Sequence, residues 1–276
     1  MKKKKNTGLN VLVGIISAFL AIVYLSPFYI MITNSFKTKK ELFTSTLSLP
    51  NTLSFANYKE AFVDLEFFSA VTNSLLITIC SIVVIIIFTS MAAWMLERTK
   101  TKTSGFIFLL FISAMLIPFQ AVMLPLVRIM GKLNLLNSFG LIFMYLGFGV
   151  SLSTFLYHGF IKSIPKELDE AAMIDGCNKF QTFWKIIFPL LKPISITVAI
   201  LNIVWIWNDY LLPSLVVNKP GKQTIPLRIF LFFGEYTKQW HLAMAGLILA
   251  IIPVVIFYFS VQKYIIKSIT AGSVKG

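Results

Sequence analysis

Long apolar stretches separated by short polar segments dominate the pattern of this chain. Several exceed the roughly 18 uninterrupted apolar residues that mark a membrane-spanning helix. Six helices of that length take up about half of the 276 residues and leave loops too short for a second folded domain. We therefore predict an all-α membrane protein with a single transmembrane domain over 1–276. The six predicted spans are about 9–32, 70–94, 105–127, 139–159, 193–213 and 242–262.

The first span has two interpretations. Lys2 to Lys5 resemble the basic start of a signal peptide. However, the apolar run from Leu9 to Ile32 is too long for a signal-peptide core, and no small-residue cleavage site follows it. The pattern favours a retained transmembrane helix.

Charge sets the expected orientation. The chain is 57% hydrophobic and 13% charged, with a net charge of +14. With the N-terminus in the cytoplasm, fifteen of the 25 Lys and Arg residues fall on cytoplasmic segments, as the positive-inside rule favours. We expect both termini in the cytoplasm of a multi-pass bacterial plasma membrane protein. Contact with anionic membrane lipid accounts for the net charge, so no nucleic acid partner is expected.

The sequence offers no pattern typical of catalysis. It contains no CxxC, HExxH or GxSxG motif, and His158 and His241 stand alone at span ends. Cys80 lies in a span and Cys177 in a loop, so a disulfide between them is not expected. No GxxxxGK[ST] motif is present, so the chain cannot cradle ATP phosphates itself. We predict a non-enzyme without metal or cofactor, and any nucleotide would be bound by another subunit.

The polar segment 160–192, between the fourth and fifth predicted spans, is the main candidate site. Ser163 and Pro165 indicate a helix start, and Gly176 indicates its end. Acidic residues in the early turns suit the helix dipole. The residues predicted on one face are Ile164, Leu168, Ala171, Ala172 and Asp175. Two alanines make this face shallow, which suits close contact with another protein better than anchoring in lipid.

A second run follows at helical spacing and is expected to pack back on the transmembrane bundle. Its members are Phe180, Phe183, Trp184, Ile187 and Phe188.

Glu170-Ala171-Ala172, followed by Asp175-Gly176, Phe183, Pro189 and Pro193, resembles the Glu-Ala-Ala (EAA) signature of ABC importer permeases with the MetI-like fold. Cys177 departs from the alanine common there, but both residues are small. The resemblance implies a type I importer permease whose loop is gripped by an ABC ATPase dimer. The residues it places in that contact are Leu168, Glu170, Ala171, Ala172, Asp175 and Gly176.

Further segments resemble the carbohydrate-uptake branch, in particular the second membrane subunit of maltose-type importers. They are Asn34-Ser35-Phe36-Lys37, Asn57-Tyr58, Asn73-Ser74, Ile117-Pro118, Trp207-Asn208-Asp209, the stretch from Met244 to Pro253, Gln262-Lys263 and the tail from Thr270 to Gly276. The resemblance implies a second, non-identical permease subunit, an extracellular sugar-binding protein and a sugar substrate. It also implies that Gly272, Val274 and Lys275 of the C-terminal tail contact the ATPase.

Polar groups within spans are costly and therefore informative. Gln120, Asn202 and the pair Asn208-Asp209 could hydrogen-bond sugar hydroxyls, with Trp205 or Trp207 as an apolar ring platform. Of these, we predict a substrate pathway past Gln120, Asn202, Trp205 and Asn208. Hydrogen bonds between helices remain the alternative for Gln120 and Asn202.

Two other classes fit less well. A secondary transporter usually carries several ionisable groups at mid-membrane and repeated halves. Here Asp209 is the only acidic residue within a predicted span, and the two halves show no visible repeat. An intramembrane enzyme would need a Ser/His or paired-Asp set at matched depth, and no such set is apparent.

Overall fold

The protein is helical throughout most of its length. A computed structural model describes residues 7–234 and 238–273, with side chains described for 11–234, 238–260 and 262. The helices are α1 (Thr7–Ser35), α2 (Lys39–Thr44), α3 (Ala56–Asp64), α4 (Phe67–Thr99), α5 (Lys102–Ser113), α6 (Phe119–Lys132), α7 (Ser138–Ile161), α8 (Glu167–Ile174), α9 (Lys179–Thr182), α10 (Phe188–Leu190), α11 (Lys192–Trp207), α12 (Leu211–Val216), α13 (Ile225–Phe230) and α14 (Trp240–Ser273). A 3₁₀ helix (Ala114–Leu116) extends α5, and a π-helix (Phe183–Ile187) joins α9 to α10.

Four of these helices are long and apolar enough to cross a membrane, over Val11–Ser35, Phe67–Thr99, Ser138–Ile161 and Trp240–Ser260. Two bent pairs, Lys102–Leu116 with Phe119–Lys132 and Lys179–Leu190 with Lys192–Trp207, also qualify if each counts as one span. The six predicted apolar stretches are therefore found, but the third and fifth are not straight helices.

The third predicted span bends by 107°. Pro118 lacks a backbone N–H, and its ring pushes the preceding residue out of the helical region. Ile117 is accordingly extended, with φ −89° and ψ 114°. The fifth predicted span ends early, since α11 stops at Trp207 and Asp209 Oδ1 accepts a bond from the backbone N–H of Leu211.

The chain divides into two compact units. The first contains residues up to Phe67 together with Arg228–Val254. In it, the first loop is fixed by the fully buried Lys37, whose Nζ donates to Ser45 O at 2.8 Å, and by Asn57, whose Nδ2 donates to Ser35 O at 2.7 Å. The predicted single domain stays a prediction.

The second unit contains Phe68–Leu227 and the residues after Val254. Its core is apolar and formed largely by α4, α7 and α11, which contribute the fully buried Ile85, Leu141 and Val198. Tyr157 Oη donates to Ser195 Oγ at 2.7 Å and joins α7 to α11. This unit carries the candidate site.

Candidate functional site

The end of α8 is closed by Gly176. The N–H of Gly176 donates to Met173 O at 3.1 Å, and the N–H of Cys177 donates to Ala172 O at 2.9 Å. This pair of bonds is the Schellman motif, which needs a left-handed residue after the helix. Gly176 supplies it with φ +82°. The predicted end of the helix is confirmed.

The predicted start of the same helix is wrong. The Ser163 hydroxyl donates to Phe160 O at 2.7 Å, in the last turn of α7, and so caps nothing in α8. Serine commonly bonds a carbonyl three or four residues earlier, and this bond competes with N-capping. The helix begins instead at Glu167, after Lys166, whose side chain makes no capping bond.

Five of the six predicted contact residues lie on the exposed side of α8 or at its end: Leu168, Glu170, Ala171, Asp175 and Gly176. Ala172 does not, because it is only 2% exposed. Ile164, predicted on the same face, is also buried. The helix has an inner side that packs on the chain and an outer side that is free. Sequence reasoning missed two apolar side chains on the outer side, Met173 and Ile174, and Ile174 is 86% exposed.

The inner side of α8 is held by Asp169, whose role the sequence did not reveal. Its carboxylate is buried and accepts two bonds: Trp94 Nε1 donates to Oδ1 at 2.7 Å and Arg98 Nε donates to Oδ2 at 2.9 Å. Arg98 Nη2 also donates to Ile164 O at 3.1 Å, in the turn before α8. A signal was present, since Trp94 and Arg98 stand four residues apart at the end of a predicted span and therefore share one helix face.

The segment after α8 packs inward through aromatic side chains. Phe183 is 1% exposed, and its ring lies 5.5 Å from the Trp94 ring, measured between centroids. Ile187 is fully buried as well, which confirms the predicted packing for both residues. Phe180 was predicted to pack in the same way, but it is exposed because it lies in α9, before the buried turn. The π-helix bond from Phe188 N–H to Phe183 O shifts the helical register at this point.

The four predicted pathway residues separate into two groups. Asn202 is buried in α11, where its Nδ2 donates to Ser153 Oγ of α7 at 3.2 Å and to Val198 O at 2.8 Å. These bonds support the alternative of helix-to-helix bonding for this residue, and its place on a substrate pathway stays a prediction.

The other three predicted pathway residues are accessible. Gln120 is exposed in the first turn of α6. Trp205 lies on the exposed face of α11, where its ring meets the Tyr145 ring edge-on with centroids 5.4 Å apart. Asn208 is exposed directly after the last residue of α11, and its Nδ2 donates to Val204 O in the last turn of that helix at 2.7 Å. An aromatic ring and an amide thus stand together on one surface.

The three predicted tail contacts lie at or beyond the last residues that the structure describes. Gly272 lies in the last turn of α14, where side chains are not described, and Val274 and Lys275 lie outside the described residues.

The chain is similar to known transport proteins over most of its length. The family of the binding-protein-dependent transport system inner membrane component matches residues 85–271. The "Probable starch degradation products transport system permease protein AmyC" of Thermoanaerobacterium thermosulfurigenes is 58% identical over 93% of both chains. The "Multiple sugar-binding transport system permease protein MsmG" of Streptococcus mutans is 38% identical over 92% of this chain and 93% of that one.

A solved structure supports the fold. A chain of a bacterial ABC transporter involved in the import of the acidic polysaccharide alginate aligns with a TM-score of 0.80 and 24% identity, covering 96% of this chain and 99% of that one. The family match covers more than half of the residues, and the relatives align over nearly the whole length. The chain therefore belongs to the family of binding-protein-dependent transport system inner membrane components, the multi-pass permeases of ABC importers.

Proposed function

We propose that this permease forms half of the translocation pathway of an ATP-driven importer for a sugar or oligosaccharide. The printed names of its relatives support this substrate class, since they refer to starch degradation products, to multiple sugars, and to melibiose, raffinose and stachyose. The chain itself does not hydrolyse ATP in this proposal. A separate ABC ATPase dimer does so and drives the permease.

The observation that carries the proposal is the two-sided packing of α8. Its inner side is fixed by the buried Asp169 and Ala172. Its outer side presents Leu168, Met173 and Ile174 to the surroundings. Exposed apolar side chains on a firmly held helix are typical of an interaction site. We therefore assign the outer side of α8, with Glu170, Ala171, Asp175 and Gly176, to the contact with the ATPase.

The other partners follow from the family and from exposure. A second, non-identical permease would complete the pathway, and an extracellular sugar-binding protein would deliver the substrate. The membrane-spanning window of α1 has no buried position, so lipid or another subunit must cover it. Both termini and α8 lie in the cytoplasm in this arrangement. Trp205 and Asn208 are the residues proposed to meet the sugar inside the membrane.

The test is retention of the ATPase after a single change on the outer side of α8. Ile174→Asp places a carboxylate where an apolar contact is proposed, and a desolvated, unpaired charge is costly. We expect the permease complex to insert normally but to lose the ATPase on purification and to lose uptake. Leu53→Asp is the matched control, because Leu53 is a similarly exposed apolar residue in the first loop. An Ile174→Asp complex that keeps the ATPase and transports normally would show the assignment to be wrong.

The substrate class is tested separately. The cognate extracellular binding protein is titrated with a panel of mono-, di- and oligosaccharides, and uptake of the same sugars is measured in cells that carry the complete importer. Binding and uptake of a sugar are expected. Uptake confined to non-carbohydrate solutes would contradict the substrate class and leave the assignment of α8 intact.

A further inference from the structure

The end of α4 holds α8 through a cluster of three side chains, Trp94, Arg98 and Asp169, which we call the Asp169 clamp. Each carboxylate oxygen of Asp169 accepts a bond from a different side chain of α4. The side chains of Arg98 and Asp169 are only 13% and 10% exposed. An ion pair that is buried and hydrogen-bonded on both oxygens is geometrically specific, unlike a surface salt bridge.

We propose that the Asp169 clamp makes α8 and the end of α4 move as one body, so that Trp94 and Arg98 are positioning residues of the coupling step. The proposal rests on the proposed function, in which the ATPase pulls on the outer side of α8. A short helix of eight residues, fixed only at its ends, could tilt under such a pull without moving the membrane helices. The clamp removes that freedom.

The bonds act on two points of the α8 region. Asp169 lies in the first turn of the helix, while Ile164 O lies in the turn that precedes it. Arg98 binds both points with two different nitrogens of one planar guanidinium. A guanidinium holds such a pair of acceptors in a fixed relative orientation, which a lysine ammonium cannot do. Rotation of α8 about its entry turn is therefore restricted.

The same end of α4 also contacts the elements that follow α8. The Trp94 ring packs against Phe183 of the π-helix, which leads into α10 and α11. One turn along α4, the buried Glu97 pairs with His158 of α7, with Glu97 Oε2 and His158 Nε2 3.1 Å apart. A displacement of α8 is thus passed to α4, and from there to neighbours that belong to the transmembrane core.

The experiment uses the complete importer in lipid, with its ATPase and binding protein. Trp94→Phe removes the indole N–H but keeps a ring against Phe183, and Arg98→Lys keeps the charge but loses the two-point geometry. Each variant is assayed for ATPase retention, for hydrolysis without binding protein, and for hydrolysis and uptake with sugar-loaded binding protein. Thr99→Val is the control, because Thr99 is exposed at the same helix end and its hydroxyl donates to Met95 O of its own helix.

We expect both variants to keep the ATPase and the basal hydrolysis rate, because the outer side of α8 is unchanged. Stimulated hydrolysis and uptake per complex should fall about 2- to 30-fold, the range expected when coupling between sites is weakened. The fold-loss of stimulated hydrolysis and uptake in the double variant should not exceed the product of the two single fold-losses, since both side chains act on one carboxylate. Thr99→Val should behave as the wild type.

Two results would overturn the proposal. Variants whose stimulated ATP hydrolysis and uptake equal those of the wild type would show that α8 needs no clamp. Variants that lose uptake only in proportion to lost ATPase or lost folded complex would assign the clamp to folding alone. Failure of the proposed function looks different, because then the wild-type permease itself retains no ATPase.

Discussion

Asn202→Ala should separate structural residues from pathway residues on α11. Asn202 Nδ2 bonds Ser153 Oγ on α7, and the side chain is 5% exposed. A side-chain bond between membrane helices contributes about 0.6 kcal/mol on average and at most about 1.7 kcal/mol. Truncating a buried side chain adds roughly 1 kcal/mol for the space left behind. Ser153 can bond its own helix instead, so it adds no further cost.

The expected loss is therefore about 2 kcal/mol of free energy of unfolding. For a chain of 276 residues, that corresponds to a melting temperature lower by about 3–4 °C. The assay is thermal unfolding of the purified complex, followed by uptake normalised to the amount of folded complex. We expect a lower melting temperature with uptake per complex unchanged.

Asn208→Ala is the matched control at the end of the same helix. Asn208 is exposed, and its side chain bonds Val204 O in the last turn of α11, so its loss should change stability by less than about 0.5 kcal/mol. If Asn208 meets the sugar, uptake per complex should fall while the melting temperature stays the same. The opposite pattern, with an unchanged melting temperature and reduced uptake for Asn202→Ala, would refute the reasoning and return Asn202 to the sugar route.

Two further substitutions test glycines that the geometry distinguishes. In Gly149→Ala, the new Cβ would lie 2.7 Å from Ile85 Cδ1 in the core, so we expect the free energy of unfolding to fall by about 1–3 kcal/mol in the same assay. Gly147→Ala is the control, because no atom lies within 4 Å of its new Cβ. Equal melting temperatures for the two variants would contradict the prediction. Gly176→Ala should strain the Schellman motif by about 1–2 kcal/mol, because the φ angle there is +82°, and it should lower ATPase retention. Gly221→Ala is the control, because it carries similar strain at φ +75° and should leave ATPase retention intact. Equal ATPase retention in the two variants would count against the proposed ATPase contact on α8.

Two simple sequence rules predicted the structure correctly. Apolar length located the spans, and Gly176 located the end of α8 through the left-handed residue that a Schellman motif requires. Pro118 stood in the sequence as well, but apolar length alone suggested a straight helix through it. The bend follows from the effect of proline on the preceding residue, Ile117, and the prediction from apolar length did not take that effect into account.

The inner side of α8 could not be predicted in the same way. Periodicity identifies a face, but it does not say whether that face meets the same chain or another one. Asp169 is partnered by Trp94 and Arg98, more than 70 positions away in the chain. Its place in the first turn suggested only an interaction with the helix dipole. For Asn202, two interpretations stayed open because the choice depends on how α11 packs on α7, which the sequence alone does not determine.

The bend between α5 and α6 has a consequence for the lipid around the protein. Pro118 has no N–H, and Ile117 N–H bonds only as far back as Ala114 O, so carbonyls at the end of the first half lack helical partners. An unsatisfied backbone group in hydrocarbon costs several kcal/mol, and irregular backbone at membrane depth is therefore tolerated only against water or protein. If α5 and α6 cross the membrane as one bent span, the annulus of lipid around the permease is accordingly interrupted at Ile117 and Pro118, where acyl chains are kept away from the backbone.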